Sequence, residues 1–148
     1  MNGKVRNIGV FLIALAVVSL GAGATFVQQG FAKEAFLVQA MEQEQIQVDG
    51  VEGVVDNAQE AQIAGDVVRE HRHGIAPTYG DLLGGERFDP GEPRQLSYAQ
   101  ALNLENYLYL AVASFGLFTV VKAIGGFMIL MGVALGATGY GLVRIGRQ

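Results

Sequence analysis

Residues 107–143 read YLYLAVASFGLFTVVKAIGGFMILMGVALGATGYGLV, a run of 37 residues with a single charge, Lys122. A bilayer core takes roughly 20 apolar residues as helix. The run is therefore too long for one span and short for two spans joined by a turn. Splitting it at Gly125-Gly126 leaves residues 107–121, only 15 residues, for the first span. The split also carries Arg144 and Arg147 to the outside, against the tendency of basic flanks to stay cytoplasmic. Placing the lipid-spanning part at 123–143 ends it at Arg144 and leaves Lys122 at the outer interface, where its stem can snorkel. Burying Lys122 in mid-membrane would cost at least about 2.5 kcal/mol.

A second apolar run lies near the N-terminus. Residues 8–27, IGVFLIALAVVSLGAGATFV, carry no charge and match one span. Lys4 and Arg6 precede it, and Ala22-Gly23-Ala24 resembles a signal-peptidase site. The apolar run continues through Phe26 and Val27, which favours an uncleaved anchor. With Lys4, Arg6, Arg144 and Arg147 flanking the two spans, both termini read as cytoplasmic, in a multi-pass protein of the cell (inner) membrane.

The chain has 148 residues, 51% hydrophobic, with a mean hydropathy of +0.32 and a net charge of −4. All 14 acidic residues fall between Glu34 and Glu105, in the segment placed outside. An acidic segment is a poor surface for phosphates, so nucleic acid is not an expected partner. The absence of cysteine removes disulfides, thiolate nucleophiles and Cys-ligated metal.

The spacing predicts three helices outside the membrane. Residues 28–47 continue the first span, with Val27, Phe31, Ala35 and Val38 on one face. Near Ile46, an alternation around Asp49-Gly50 suits a turn or an extended connector. Residues 56–73 form the next helix, with Asp56 or Asn57 as cap and Gly74 as terminator. Ile63 and Val67, with Ala64 and Val68, make its apolar stripe. Residues 74–96 hold all three prolines and read as a loop, with one inward turn at Tyr79 and Leu82 or Leu83. Residues 97–122 form the last outer helix, with Leu104, Leu108, Ala111, Phe115 and Phe118 on one face.

The resulting expectation is an all-α membrane protein. It is a two-span antiparallel helical hairpin extended outside the membrane, with a small extracytoplasmic helical cap. Residues 1–7 and 144–148 lie in the cytoplasm, 8–27 and 123–143 in the bilayer, and 28–122 outside.

Several residues stand out. Gly9, Ala16 and Gly23 recur at seven-residue spacing on one face of the first span. Gly125, Gly132, Gly136 and Gly139 share a face of the second, with Gly132-x-x-x-Gly136 as a small-xxx-small motif. Small residues let helices approach closely where lipid removes the hydrophobic drive, so these form the expected helix-packing set. The partner is the other span or a second copy. Lys122, Arg144, Tyr107 and Tyr109 are the expected membrane-interface residues.

The strongest chemical cluster is Glu70-His71-Arg72-His73. His71 and His73, with Asp66, are candidate metal ligands or bases. Two histidines one residue apart fall short of the three or four ligands of a zinc site, and a polar helix C-terminus explains the cluster equally. Ser97 and Ser114 lack a nucleophile elbow, and no phosphate-binding loop occurs. No catalytic residue and no cofactor are therefore assigned.

In motif order the chain resembles an uncharacterised family of small bacterial two-span membrane proteins. After an N-terminal span come I-x-V (Ile46-Gln47-Val48) and GDVVREH (65–71), matching A-D-x-I-x-x-H. PTYGDL (77–82) follows, then Asp89-Pro90. Residues 102–116 resemble a helix of the type L-x-x-S-L-x-L-A-V-x-x-F-G, and residues 125–135, GGFMILMGVAL, resemble the Gly-Gly segment that follows it. Gly65, Asn106-Tyr107 and Lys122 depart from the pattern. The resemblance implies two spans and an outer segment. Some members carry an automatic label of aromatic ring-opening dioxygenase. Such enzymes need a ferrous site of two His and a carboxylate or its equivalent, which the residues here do not supply.

The functional expectation is a non-enzymatic structural or accessory membrane subunit, with the lipid bilayer and a homo-oligomer or larger complex as partners. The competing expectation is an extracytoplasmic ligand- or metal-binding sensor or enzyme using residues 66–79.

Overall fold

The computed structural model describes residues 2–45, 51 and 53–147, and all regular structure among them is helical. Four helices follow in order: α1 (Asn2–Glu44), α2 (Ala58–Ile75), α3 (Tyr79–Leu83) and α4 (Pro93–Ile145). Two of them, α1 and α4, are long and apolar enough to cross a membrane.

Local chemistry sets the helix ends. α1 stops where Gln45 turns to φ 49°, a left-handed conformation that a helix cannot continue through. The connector expected at residues 46–50, including the Ile46-Gln47-Val48 motif, lies outside the described residues. α2 begins at the expected cap: Asn57 Oδ1 accepts from Glu60 N at 3.0 Å, while Glu60 Oε2 accepts from Asp56 N at 3.1 Å. The pair is a close variant of a capping box.

Two boundaries differ from expectation, and the inward turn expected at Tyr79 and Leu82 forms as α3. Gly74 does not end α2; the helix runs on to Ile75, and Ala76 is extended with its N–H donating to Arg72 O. Pro77 supplies the reason, because its ring excludes the preceding residue from helical geometry. The loop at 74–96 is interrupted by α3, capped by Thr78 and closed by Gly84 at φ 58°. The last helix starts at Pro93, a turn before Ser97. Pro93 occupies the first helical position, where its missing N–H is no loss. Glu92 accepts from Arg94 N and Gln95 N at 3.2 and 2.6 Å.

α4 passes through Gly125-Gly126 without interruption, so the three-span division of the apolar run has no break to use.

The chain forms two compact units. The terminal unit comprises Met1–Lys33 and Leu117–Gln148. Its helices meet along a seam of small residues whose contacts run in opposite directions along α1 and α4. Gly9 faces Gly139, Ala16 faces Gly132, and Gly23 faces Gly125. Each step of seven up α1 meets a step of seven down α4.

The central unit is Glu34–Gly116. Its core is Met41, Val55, Ala61, Ala64, Val68, Leu108, Ala111 and Phe115, with Leu37, Val38 and Leu104 packed against it. Leu108 and Phe115 are thus covered from within the chain. The buried face of α2 is Ala61, Ala64, Gly65, Val68 and Arg72. Ile63, expected in the stripe, is exposed and Val67 is half-buried. At Gly65 this face meets Tyr109 of α4 closely: a Cβ there would sit 3.0 Å from Tyr109 Cε1.

Candidate functional site

The contact between α2 and α4 in the central unit carries two polar networks. The inner one is built on Arg72. It continues the buried face of α2 at four residues beyond Val68, so its side chain enters the interior. There Nε donates to Glu105 Oε2 at 2.5 Å and Nη2 donates to Glu105 Oε1 at 3.3 Å. This is a fork-on-fork pair, the geometry for which guanidinium is suited. Nη1 donates to the Tyr98 hydroxyl at 2.5 Å, and the guanidinium lies 5.1 Å from the Tyr98 ring centroid. Nη2 also lies 3.1 Å from His73 Nε2, which accepts from it.

Arg72, Glu105 and Tyr98 are all buried. The Glu105 hydrogen bonds, the largest influence, raise the Arg72 pKa further above its ordinary value, against the opposing effect of burial. Both prongs of the guanidinium and both carboxylate oxygens are committed. The arrangement ties the C-terminal turn of α2 to α4.

The outer network is built on Asp66. Tyr109 Oη donates to Asp66 Oδ1 at 2.7 Å, Gln62 Nε2 donates to both carboxylate oxygens at 3.1 Å, and Arg69 Nη2 pairs with Oδ1 at 3.0 Å. The Tyr109 hydroxyl, then Gln62, hold the Asp66 carboxyl below its usual range, and Arg69 adds to this. Burial pushes the Tyr109 phenol up, and its hydrogen bond to Asp66 pushes it further.

These networks separate the metal-ligand candidates. Asp66 is engaged by Tyr109, while His71 and His73 are exposed, with His73 against Arg72. Among the described residues no three His, Asp or Glu side chains gather into a metal-sized group. Of the residues expected at a membrane interface, Tyr109 reaches α2 through its hydroxyl and Tyr107 packs on the central core.

The helix-packing candidates occupy the seam of the terminal unit. A Cβ at Gly9 would lie 2.7 Å from Gly139 O, and one at Gly23 would lie 2.7 Å from Gly125 O. Gly132 faces Leu20 and the Ala16 carbonyl, and a Cβ at Gly136 would lie 3.5 Å from Ala16 Cβ. Ser19 Oγ donates to Met128 O at 2.7 Å across the same seam. Gly30, not singled out from the sequence although it continues the seven-residue spacing, receives the stem of Lys122. The Lys122 ammonium lies 4.7 Å from the Phe31 ring centroid. Arg144 is exposed in the last turn of α4.

Two open grooves flank the exposed face of α4 in the central unit. One, about 330 Å³, is lined by Tyr79, Phe88, Ala99, Leu102, Asn103 and Asn106. The other, about 300 Å³, is lined by Glu44, Gln100, Asn103, Leu104 and Tyr107. Sequence reasoning placed Arg72 in a polar helix end and missed its burial, its partner Glu105 and these grooves. A signal for Glu105 existed, because it lies three residues before Leu108 on the face that continues to Ala111 and Phe115.

Comparison with protein-family models, curated proteins and solved structures finds nothing that matches this chain.

Proposed function

We propose that the chain is a non-enzymatic membrane subunit, structural or accessory in role. In this reading α1 and α4 form an antiparallel two-span hairpin through residues 8–27 and 123–143. Both termini are cytoplasmic, and the central unit forms the extracytoplasmic cap.

One observation carries the membrane part. The terminal unit exposes large apolar side chains over most of its surface, among them Phe11, Val17, Val18, Phe127, Leu130 and Val133. Only 11% of the most apolar stretch of either helix is buried. Monomeric soluble proteins rarely leave so continuous an apolar surface to water, and lipid satisfies it without cost. Its buried face is the small-residue seam, as expected where packing rather than water drives association.

The accessory part follows from the chemistry of the central unit. Its two polar networks join one helix to another: Asp66 is held by Tyr109 and Gln62, and Arg72 by Glu105 and Tyr98. A role for Asp66 in binding or catalysis would require its release from Tyr109.

Two measurements test the proposal. A C-terminal reporter active only in the cytoplasm should be active; silence overturns the topology. Purification from native membranes in mild detergent should bring stoichiometric partner subunits or further copies. An isolated chain that carries stoichiometric iron and cleaves catechol overturns the accessory reading.

A further inference from the structure

We propose that the paired grooves on α4 bind a neutral glycan, a short run of sugar rings laid across Asn103. This goes beyond an accessory role and depends on the central unit alone.

The lining selects the ligand class. In the first groove Tyr79 and Phe88 form an aromatic wall, 43% and 37% exposed, so their rings are reachable. The same groove is lined by Asn103 and Asn106, both exposed on α4. Neither carboxamide makes a hydrogen bond within the described residues, so each offers two donors and an acceptor to a ligand. Among the described residues no Lys, Arg, Asp or Glu lines this groove. A phosphate or carboxylate would lack a counter-charge, and a purely apolar ligand would strand two amides. A pyranose ring satisfies both walls. Its C–H face lies on an aromatic ring and its equatorial hydroxyls both donate and accept.

The second groove repeats the chemistry with Gln100 and Tyr107, again a carboxamide and an aromatic ring, plus the acceptor Glu44. Asn103 lines both grooves. The two volumes lie at the lower end of the range for small-molecule sites. One sugar ring per groove, with the linkage over Asn103, makes use of both.

The aromatic wall is held in place before any ligand arrives. Tyr79 packs against the buried Tyr98 with ring centroids 6.1 Å apart and planes tilted by 41°, and Tyr98 is held by Arg72. Phe88 is followed by Asp89, whose N–H donates to Gln95 Oε1 at 2.7 Å and whose Oδ1 accepts from Gly91 N at 2.8 Å. The buried Arg72–Glu105 pair thus braces one side of the groove.

The test uses the full chain in phosphatidylcholine nanodiscs, prepared without glycosidic detergent, whose head group would itself compete. Tetra-N-acetylchitotetraose and cellotetraose are titrated by saturation-transfer NMR and calorimetry. At least one should bind saturably with Kd at or below about 1 mM. The double variant Asn103→Ala, Asn106→Ala, altering only exposed side chains, should weaken binding at least about tenfold, equivalent to losing one or two hydrogen bonds. Phe88→Ala should do the same, and Phe36→Ala, outside the grooves, should leave binding unchanged. Absence of saturable binding to both glycans overturns the proposal. So does retention of wild-type affinity in the asparagine double variant, or equal binding of a tetraalanine peptide.

Discussion

Arg72 and Glu105, separated by 33 residues, meet as a buried bidentate ion pair, with Nε and Oε2 2.5 Å apart. Their side chains retain only 10% and 8% of their exposure. In such surroundings the attraction of the pair and the cost of desolvating it nearly cancel, whereas either charge left alone is expensive. The pair therefore acts as a register lock between α2 and α4 more than as a net source of stability.

Removing one partner should show that asymmetry. Glu105→Ala leaves the guanidinium buried against Tyr98 and should cost about 3–5 kcal/mol. Arg72→Met with Glu105→Leu should recover most of the loss. Thermal melting of the three proteins in one detergent, followed by circular dichroism, checks this. A single variant as stable as wild type would mean that the pair is solvated.

The Asp66–Tyr109 contact should show its contribution at both ends of the pH scale. The folded Asp66 pKa is lowered, so its contribution is present above the unfolded carboxylate value of about 3.9 and is lost as pH falls through the folded value. The folded Tyr109 pKa is raised, so its contribution is complete below the unfolded phenol value of about 10 and is lost as pH rises through the folded value. Tyr109→Phe should lower the melting temperature at neutral pH. The gap to wild type should shrink in acid below the ordinary carboxylate range and in alkali above the ordinary tyrosine range. A gap independent of pH would assign the effect to packing against Gly65.

Much of the helical layout was legible because it rests on local rules. The seven-residue recurrence of Gly9, Ala16 and Gly23, the Asn57 cap and the face through Leu108, Ala111 and Phe115 are all readable as periodicity. Gly74 misled because the terminator of α2 is a proline three residues later, and glycine is tolerated inside a helix at about 1 kcal/mol. Ile63 misled because hydrophobicity ranks it above Ala61 and Ala64, while the buried face of α2 runs through Ala61, Ala64, Gly65 and Val68 and meets Tyr109 closely at Gly65. Arg72 and Glu105 were hidden for a different reason. Charged residues are assigned to the surface by default, and only the partner across the tertiary contact makes their burial tolerable. The grooves depend on Phe88, Tyr79 and Asn103 converging from three segments, which no one-dimensional pattern encodes.

The glycines of α4 should divide sharply by face. A Cβ at Gly125 would lie 2.7 Å from Gly23 O and 2.9 Å from Val27 N, both backbone atoms that move only with the whole helix. Its neighbour Gly126 has nothing within 4 Å. Gly125→Ala should therefore destabilise by about 1–3 kcal/mol, as overpacking does. Gly126→Ala should be neutral or stabilising by up to about 1 kcal/mol through helix propensity. Melting of both variants in detergent distinguishes them, and equal effects would place Gly125 away from a helix contact.

The antiparallel register of the seam can be trapped directly, because the chain has no cysteine of its own. A Cβ at Gly136 would lie 3.5 Å from Ala16 Cβ, at the short edge of the separation a disulfide requires. The variant Ala16→Cys, Gly136→Cys should close an intramolecular disulfide under mild oxidation in membranes, seen as faster gel migration and lost maleimide labelling. Ala16→Cys with Gly126→Cys should not, since Gly126 faces open space. Reduction should restore labelling and the original mobility. If the first pair yields only dimers of the chain, the seam joins two copies, and the hairpin register along Gly9, Ala16 and Gly23 is wrong.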